Sequence, residues 1–568
     1  MKIKSKETRD MLLAIATMFQ EKREELARLD SVIGDGDHGI SMARGAKKAF
    51  QEISDMDDEQ PVNEYFKVYG RAMVAEIGGA IGPLFGMIFT EIGKCVKGKT
   101  EITPEAFAQA IENSKNKVMD FGGAKPNDKT MVDAMVPACE AARSKAKTGA
   151  NLYEVVRAAA DAAKCGVENT IAMQSRRGRS KFLQEKSIGH QDAGATSYYY
   201  LLNRMADYLN GSKEYVPYVN QKMEKEKQHN SEAKQQVIKF INDPDNLVEE
   251  TVQGYVEAYN DRMMKLPEGN VVARKEIEKN KVGVIIGNGS GHEPACLGFI
   301  GTNMLDANAY GGVFAAPGPY NILRAIKAAD TGKGVCVLVS AHAGDILNAK
   351  MAIDMAEDDG IKAEALLLYD DVASAPKAEP LYERRGSIGT IFNYKMTASY
   401  AAEGHSLEEV IAFGEMVRDN TRSIAAAMSP GHSPITGEEM FAIEPGEVLV
   451  GLGVHGEAAL MTFKNEKCSE IAERMICELI EDKPYQSDDE VAVIVNGTGK
   501  TTMMEMMIFY TTVNKYLTAK GIKVYRPLIG SYITTQDMGG IGLAICKVND
   551  EMKKQWVKPT NAPHFPCL

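Results

Sequence analysis

The sequence lacks several features that would assign it to a common class of protein. Its nine scattered cysteines include no Cys-x-x-Cys pair, so neither a disulfide framework nor a zinc site is predicted. No apolar run approaches the roughly 20 residues that span a bilayer. The net charge of −12 argues against a general affinity for nucleic acids or membrane surfaces. The first residues predict an amphipathic helix rather than a signal peptide, which favours a cytoplasmic protein.

The length of 568 residues is too great for one hydrophobic core, and roughly three to four domains are expected. Residues 1–210 predict an all-α domain, because apolar residues such as Leu12, Ile15 and Phe19 recur at helical spacing. Residues 211–233 have the polar composition of a linker between domains.

The hydrophobic pattern changes after residue 234, where short aliphatic strands are predicted to alternate with helices. This alternation predicts mostly parallel α/β sheets. The predicted strands are residues 282–286, 335–339, 365–369, 448–450, 491–495 and 524–528. Two subdomains are expected, residues 234–420 and 421–568, with a break near Ser429-Pro430-Gly431.

An acidic turn in the helical half carries three carboxylates within eight residues, Asp30, Asp35 and Asp37. Two bare charges about 4 Å apart repel by about 4 kcal/mol at an effective dielectric constant of 20. A hard cation such as Mg²⁺ relieves this repulsion and bridges to phosphate. An Asx-rich turn that caps a helix starting near Ser41 explains the same residues equally well.

Two glycine-rich loops, residues 78–86 and 122–130, occur in the same half. Such loops before a helix let backbone N–H groups approach phosphate oxygens. Neither is a Walker A motif, yet both together with the acidic turn indicate a Mg-nucleotide site. Arg179 and residues 187–194 are expected to supply a further polar rim.

The α/β half places histidines and an acid after its strands. His455 follows an apolar run that ends on alternating glycines, with Glu457 two positions on, and His292 and Asp345 follow two other predicted strands. A neutral imidazole is a nucleophile suited to a carbonyl carbon. The three residues are expected at the ends of neighbouring strands, lining one crevice. Taken singly, His455 is more often a turn residue and Asp345 a helix N-cap.

These motifs together resemble the dihydroxyacetone kinase family over nearly the whole chain. Gly-Ser-Gly-His-Glu-Pro (289–294), Gly-Asp-Ile-Leu-Asn (344–348), Arg384-Arg-Gly386 and Gly-Leu-Gly-Val-His-Gly-Glu (451–457) are similar to that family's ketone-binding half. Ile-Gly-Asp-Gly-Asp-His-Gly (33–39) and Gly-Gly-Ala-Lys-Pro (122–126) are similar to its nucleotide half. Here the nucleotide half comes first, which reverses the usual order.

The resemblance implies a helical barrel that binds ATP with two Mg²⁺ ions held by Asp30, Asp35 and Asp37. It implies that His455 bonds covalently to a ketose as a hemiaminal, that His292 hydrogen-bonds the substrate, and that Asp345 is the general base. The other substrate-binding residues it implies are Gly289, Ser290 and Gly291. The nucleotide-binding residues it implies are His38, Ser41, Gly79, Ala80, Ile81, Gly82, Gly123, Thr130, Met131, Arg179, Asp192 and Gly194.

Three positions depart from the family's usual pattern: Ser340 begins a Ser-Ala-His-Ala run in place of Lys-Asn-Tyr-Thr, Asn288 replaces a glycine, and Ile81 replaces a serine. Smaller residues before the general base favour a four-carbon ketose such as erythrulose beside dihydroxyacetone. The expected protein is an ATP-dependent ketose kinase that forms a homodimer. The alternatives are a ketose kinase that takes phosphate from a phosphotransferase protein, and a non-catalytic ketose sensor.

Overall fold

The computed structural model of the protein describes residues 3–34, 36–215, 239–244, 246–454, 456–457 and 459–566. The chain divides into two compact units, Met1–Gln236 (the N-terminal unit) and Val237–Leu568 (the C-terminal unit). Asp35, His455 and residues 216–233 of the predicted linker lie outside the described residues. No helix in the described ranges is both long and apolar enough to cross a membrane.

The N-terminal unit is helical, as the sequence predicts. Its elements are β1 (Ile3–Lys4), α1 (Ser5–Glu21), α2 (Arg23–Ile33), α3 (His38–Ser54), α4 (Val62–Glu76), α5 (Ile81–Cys95), β2 (Glu101–Ile102), α6 (Pro104–Gly122), α7 (Val132–Lys147), α8 (Leu152–Thr170), a 3-10 helix (Arg179–Ser187) and α9 (Ala193–Leu209). The two short strands pair antiparallel, Ile3 with Ile102. Strands of two residues are too short for periodicity to predict.

One end of the N-terminal unit collects the turns that carry its predicted site. Each helix from α2 to α9 packs against the next along the chain, and packed helices with short connections run antiparallel. The α2–α3, α4–α5, α6–α7 and α8–α9 connections therefore lie at the same end. Helix α1 packs against α3, α4 and α9, and it contributes Met11, Ile15 and Phe19 to the core.

The C-terminal unit alternates strands and helices. Its elements are α10 (Leu247–Ala258), β3 (Met263–Lys265), β4 (Val271–Arg274), β5 (Gly283–Ser290), β6 (Ala307–Val313), α11 (Pro319–Ala329), β7 (Val335–Ser340), α12 (Ala343–Asp358), β8 (Ala363–Leu368), α13 (Thr390–Ala401), α14 (Leu407–Asp419), β9 (Thr421–Ser429), β10 (Glu447–Val450), β11 (Met461–Lys464), α15 (Cys468–Asp482), β12 (Glu490–Gly497), α16 (Met503–Ala519), β13 (Lys523–Val524), β14 (Leu528–Gly530), β15 (Gly539–Lys547) and α17 (Asp550–Trp556), with 3-10 turns at Leu297–Phe299 and Leu381–Glu383.

The first sheet of this unit has six strands in the order β3-β4-β6-β5-β7-β8. Strands β6, β5, β7 and β8 pair in parallel, while β3 and β4 pair antiparallel at one edge. The parallel prediction is confirmed here. Because parallel strands end at the same edge of a sheet, the residues that follow β5 and β7 emerge side by side.

The second sheet corrects two predictions. Its seven strands follow the order β11-β10-β9-β15-β12-β13, with β14 also beside β12. Most of these pairs are antiparallel, because hairpin and long return connections replace helical crossovers. The strand before His455, β10, lies in this sheet, so it is not a neighbour of β5 or β7. The predicted strand at 524–528 is divided into β13 and β14, which both pair with β12.

A shared core joins the two sheets. It includes Ile286 and Leu338 from the first sheet and Ile494 and Ala544 from the second. Helix α13 has buried residues on every face and packs against β5, α14 and α17. The chain leaves the first sheet after α14 and enters the second at β9.

Candidate functional site

The acidic turn between α2 and α3 brings Asp30 beside the start of α3. The Asp30 carboxylate accepts a hydrogen bond from the His38 backbone N–H at 3.3 Å. Asp37 occupies the N-cap of α3, yet its side chain makes no capping hydrogen bond. Desolvation raises the pKa of Asp37 to about 7, and the Asp30 charge acts in the same direction against Arg44. Asp30 therefore satisfies the first N–H of α3 and Asp37 does not cap it, while the repulsion that a cation relieves is present.

The His38 ring connects this turn to helix α9. Its Nε2 lies 2.7 Å from the Ser197 hydroxyl, and the side chain is buried. Burial lowers the pKa of His38, while the charge of Asp30 opposes the shift. His38 therefore fixes the position of α3 against α9 with a neutral ring. Ser41, in the first turn of the same helix, is also buried.

The glycine loop before α5 is arranged for close backbone approach. Gly79 has a φ of +67°, and no atom lies within 4 Å of the position that a Cβ would take. At Gly82 a Cβ would lie 2.2 Å from the Ile77 carbonyl oxygen, so a side chain is excluded. Ala80 is the N-cap of α5. Ile81, which replaces the family's serine, packs against the helical core.

The loop between α6 and α7 is held by Asp133, which the sequence reasoning missed. Its carboxylate accepts hydrogen bonds from the backbone N–H groups of Asn127 at 2.5 Å and Thr130 at 2.9 Å. Gly123 ends α6 in the left-handed conformation, with φ +66°. The Thr130 N–H is thus engaged inside the loop, while its hydroxyl accepts from the Val132 N–H at 3.2 Å.

Lys129 is a second missed residue, and its ammonium group is enclosed by backbone carbonyls. It lies 3.1, 2.6 and 2.5 Å from the carbonyl oxygens of Met173, Ser187 and His190. The residue is 1% exposed, and burial lowers the pKa of the Lys129 ammonium. Lys129 therefore fastens the α6–α7 loop to residues 173–190. A charged residue in a loop gives no sequence signal of burial.

Asp192 begins α9 and lies close to the acidic turn. It accepts from the Ala195 N–H at 2.6 Å as an N-cap. Burial raises the pKa of Asp192 to about 7; the Ala195 bond opposes this, and the Asp30 charge adds to it. The Cβ position of Gly194 is 3.7 Å from Met131 Cβ, so the starts of α7 and α9 adjoin. Arg179 begins the 3-10 helix, and its side chain lies outside the described residues.

His292 follows β5 in the C-terminal unit, and a loop from the second sheet holds it. Its Nδ1 lies 2.7 Å from the Thr534 carbonyl oxygen. A carbonyl only accepts, so Nδ1 carries the proton and, in the neutral ring, Nε2 is an acceptor. The adjacent Gly291 has a φ of +98°, and a Cβ there would lie 2.5 Å from the Phe314 ring.

The end of β5 carries a buried hydroxyl that points to a ligand. Ser290 is 3% exposed, and among the described residues its Oγ has no hydrogen-bond partner. Buried polar groups are normally paired, so such an atom marks a place that a bound molecule completes. At Gly289 a Cβ would lie 2.8 Å from the Ala315 backbone nitrogen, so close packing against Ala315 excludes a side chain at this position.

Asp345 lies in the first turn of α12, just beyond the end of β7. The N-cap is His342, not Asp345, so the N-cap interpretation of Asp345 is wrong. The His342 Nδ1 is 4.0 Å from the Asp345 carboxylate. Burial raises the pKa of the Cys296 thiol, in the turn after His292, and the Asp345 charge adds to this rise. Asp345 and the His292 turn therefore face the same region.

The residues that flank His455 pack against a buried arginine, Arg385. Glu457 is buried and pairs with Arg385 at 3.6 Å rather than facing solvent. A Cβ at Gly453 would lie 1.9 Å from the Glu457 carboxylate and 2.6 Å from Arg385 Cζ. Gly386, next to Arg385, packs against Ser340, where its Cβ would lie 3.1 Å from Ser340 Cα. Arg385 therefore connects this loop to the segment that packs against the end of β7.

Two adjacent threonines connect the two sides of this site. The Thr534 carbonyl accepts from His292 Nδ1 at 2.7 Å, and the Thr535 hydroxyl donates to the Val454 carbonyl at 2.7 Å. Val454 directly precedes His455. These bonds join positions 242 and 81 residues apart in the chain, and no motif signals them.

A metal would have to be held by oxygen ligands of the acidic turn. In the described part of the chain, no group of three His, Cys, Asp or Glu residues is arranged to hold a metal ion. Asp30 and Asp37 supply two carboxylates of the type that Mg²⁺ prefers, and Asp35 lies outside the described residues. The chemistry of this donor set fits Mg²⁺.

Comparison with known proteins assigns each unit to a domain family. The DAK2 domain matches residues 32–207, and the Dak1 domain matches residues 253–564. The chain is 35% identical over 330 residues to the dihydroxyacetone-binding subunit DhaK of PTS-dependent dihydroxyacetone kinase 2 from Listeria innocua, which covers 58% of this chain and 98% of that subunit. It is 30% identical over 330 residues to L-erythrulose kinase from Pectobacterium atrosepticum, which covers 57% of this chain and 56% of that enzyme.

A solved structure gives the same result. The dihydroxyacetone kinase of C. freundii in complex with AMP-PNP and Mg²⁺ is 29% identical, with a TM-score of 0.54 over 58% of this chain and 60% of that chain. The Dak1 match alone covers more than half of the sequence. The chain therefore belongs to the dihydroxyacetone kinase family, with its DAK2 domain preceding its Dak1 domain.

Proposed function

We propose that this protein is an ATP-dependent kinase of a short-chain ketose, dihydroxyacetone or a four-carbon ketose such as erythrulose. The observation that carries the proposal is the pair of bonds from Thr534 and Thr535, which tie the His292 turn to the segment that leads into His455. The unpaired hydroxyl of Ser290 adds a polar group suited to a substrate hydroxyl. The family's kinases of dihydroxyacetone and erythrulose support the same reaction class.

In this proposal His455 attacks the ketose carbonyl carbon. The imidazole nitrogen forms a bond to that carbon, the C=O π electrons move to oxygen, and the proton on the other ring nitrogen is transferred to that oxygen to give a neutral hemiaminal. Covalent capture distinguishes a ketose from glycerol, which has no carbonyl group. His292 hydrogen-bonds the substrate through Nε2, because Thr534 accepts the Nδ1 proton. Gly289, Ser290 and Gly291 line the pocket beside it.

Asp345 is the proposed general base for phosphoryl transfer. It takes the proton of the attacking substrate hydroxyl while that oxygen bonds to the γ-phosphorus and ADP leaves. Its position in the first turn of α12, near the turn that follows His292, supports this role. His342, at 4.0 Å, lies where the family usually has other residues.

The proposed Mg-ATP site lies at the end of the N-terminal unit where the turns between helices meet. Asp30, Asp35 and Asp37 would hold Mg²⁺, which when bound neutralises phosphate charge. Most of the remaining proposed nucleotide contacts come from the starts of α3, α5, α7 and α9, where backbone N–H groups and helix dipoles favour anions; Gly123 comes from the end of α6 and Arg179 from the start of the 3-10 helix. They are His38, Ser41, Gly79, Ala80, Ile81, Gly82, Gly123, Thr130, Met131, Arg179, Asp192 and Gly194.

The finer architecture belongs to the same proposal. We propose a helical barrel for residues 1–210, a linker at 211–233, and two α/β subdomains at 234–420 and 421–568. The passage from the first sheet to the second between α14 and β9 supports the last boundary. A homodimer and a cytoplasmic location remain predictions from the sequence.

The departures from the family pattern bear on substrate length. Burial raises the pKa of Tyr394 on α13, and the Ser340 side chain opposes this rise, so the short Ser340 side chain lies beside α13. Asn288 donates to the Gly289 carbonyl at 2.9 Å. In this proposal the short side chain of Ser340 leaves room at the end of β7 for a four-carbon substrate. A higher kcat/KM for dihydroxyacetone than for either erythrulose enantiomer would contradict this choice.

The test of the proposal is turnover by the purified chain with ATP and Mg²⁺ as the only other components. We expect ketose-dependent ADP release and a sugar phosphate in equal amount. A second candidate is phosphate transfer from a phosphotransferase protein, which the similarity to a PTS-dependent subunit favours. Product formation only after addition of phosphotransferase proteins would select that candidate, and no product under either condition would overturn both.

A further inference from the structure

The loop between β14 and β15 contacts two separate segments, the turn at residues 291–292 and the residue that precedes His455. We call residues 534–538 the clamp loop. Thr534 bonds to His292 and Thr535 to Val454, as described above, and the Gln536 backbone N–H donates to the Gly291 carbonyl at 3.3 Å. The next residue, Asp537, bonds instead to Lys239 and His432, which precede the loops that carry His292 and His455 in the chain.

Asp537 is anchored by two further parts of the chain. Its carboxylate accepts from the His432 backbone N–H at 2.9 Å and from the His432 ring Nδ1 at 2.7 Å. It also accepts from the Lys239 ammonium at 2.8 Å. Although burial opposes the shift, the bonds from Lys239 and His432 hold the pKa of Asp537 below its ordinary value. The carboxylate is therefore charged at neutral pH, with both oxygens occupied.

Lys239 occupies a particular place in the sequence. It follows residues 216–238, which join the two units, and it belongs to the first residues of the C-terminal unit. Its side chain is only 16% exposed although it lies near the start of its unit. The chain that arrives from the N-terminal unit is thus fastened at its entry to the clamp loop.

The clamp loop has a backbone that depends on its surroundings. Gln536 has a φ of +54°, in the left-handed region. A residue other than glycine adopts this backbone conformation only when surrounding contacts hold it there. Gly499 approaches it so closely that a Cβ there would lie 2.0 Å from the Gln536 carbonyl oxygen. If Asp537 lost its bonds to Lys239 and His432, the clamp loop would relax and Thr534 would move relative to His292.

We propose that Lys239 and Asp537 are positioning residues for the ketose site, so that fastening of the interunit chain and binding of the ketose are coupled. The inference rests on the proposed function, since it takes His292 as a substrate contact. Coupling is reciprocal: whatever favours the fastened state tightens ketose binding by the same factor. The reversed order of the two domains makes this possible, because it brings the connecting chain into the Dak1 domain at its N-terminal end.

The test uses the full chain with Lys239→Met and, separately, Asp537→Asn. We expect the ketose dissociation constant to rise about 5- to 30-fold, within the usual range of coupling between sites. The KM for ATP and the midpoint of thermal unfolding should stay unchanged, and Lys239→Arg should restore ketose binding. Lys523→Met is the matched control, because Lys523 pairs with Asp488 at 3.0 Å but both side chains are largely exposed.

Calorimetric titration with dihydroxyacetone and L-erythrulose measures the binding without requiring turnover. Equal ketose affinity in the unmodified chain and in Lys239→Met would overturn the inference and leave the proposed function intact. Parallel losses of ketose affinity, ATP affinity and thermal stability would also overturn it, since they indicate a structural role alone. Absence of ketose binding in the unmodified chain would remove the proposed function and this inference with it.

Discussion

The two units build their sites by opposite physical means. In the N-terminal unit, turns between helices collect carboxylates that are left close together, so desolvation and mutual repulsion raise the pKa values of Asp37 and Asp192 to about 7. In the C-terminal unit, the candidate residues follow strands and are fixed by hydrogen bonds to carbonyls and by buried ion pairs. The first arrangement leaves charge for a cation to neutralise. The second leaves an imidazole ring in a fixed orientation.

The ion pairs of the C-terminal unit show how firmly its loops are held. The Arg384 guanidinium binds both oxygens of Asp482, at 2.8 and 2.5 Å, and Arg385 donates to Asp371 at 2.8 Å. Both arginines are 2% exposed. Such pairs orient groups more than they stabilise the fold, because desolvation offsets much of the attraction. Covalent capture of a carbonyl carbon needs this orientation.

The largest expected effect tests the chemistry of the C-terminal unit. Asp345→Asn keeps the shape of the side chain but removes the proposed base, so kcat should fall about 10²- to 10⁴-fold with ketose binding retained. Steady-state ATP consumption measures the change. Asp354→Asn, an exposed position on the same helix, should match the parent. An Asp345→Asn variant within twofold of the parent would show that the base lies elsewhere.

Stability of the N-terminal unit should depend on one buried cation. Lys129→Met leaves three backbone carbonyls without their donor, one of them in a fully buried bond, so the free energy of unfolding should fall by about 2 kcal/mol, and the KM for ATP should rise. Lys117→Met changes an exposed lysine of the preceding helix α6 and should alter neither quantity. Chemical denaturation of the two variants provides the comparison; indistinguishable midpoints would contradict the enclosed geometry of Lys129.

A close approach in the C-terminal unit gives a third test. Gly453→Ala places a methyl group against Glu457 and the buried Arg385, so we expect about 1–3 kcal/mol of destabilisation and weaker ketose binding. Gly254→Ala in α10 meets no atom within 4 Å and should stabilise by about 0.5–1 kcal/mol. Thermal unfolding distinguishes the signs. A neutral Gly453→Ala variant would refute the tight packing of the 451–457 loop.

The smallest expected effect is a pH dependence confined to the N-terminal unit. The pKa of Asp37 is raised to about 7, so below that pH a proton competes with Mg²⁺. Mg²⁺ affinity should therefore fall as the pH falls from 7 to 6, by up to about tenfold per pH unit. Calorimetric titration of Mg²⁺ at pH 6, 7 and 8 measures this, and Asp37→Asn should flatten the profile. Equal affinity at pH 6 and pH 8 would contradict the assignment.

Much of the fold was predictable because it is written in local periodicity. Helical spacing identified the N-terminal unit, and apolar runs identified β5, β7, β8, β10 and β12. Strand direction in the second sheet was not predictable in this way, because a strand buried on both faces has the same composition in parallel and antiparallel pairs. For this reason the strand before His455 was wrongly predicted to neighbour β5. That strand, β10, lies in the other sheet.

The candidate site was predictable where a glycine or histidine motif marks it, and not where long-range bonds hold it. Nothing in Ile-Thr-Thr-Gln (533–536) indicates that Thr534 and Thr535 would bond to segments 242 and 81 residues away. The sequence does not indicate that Lys129 and Asp133 are buried, as they are in the structure. Arg385, by contrast, stands in the Arg-Arg-Gly motif that the resemblance already marked.

The central claim is that the C-terminal unit holds a ketose covalently on His455. The most direct measurement is the carbon NMR spectrum of dihydroxyacetone labelled at its carbonyl carbon and bound to the full chain. We predict that the signal moves from the carbonyl region to that of a tetrahedral carbon, and that His455→Ala abolishes the shift. A bound ketose that keeps its carbonyl signal, or a tetrahedral signal that persists in His455→Ala, would contradict the account.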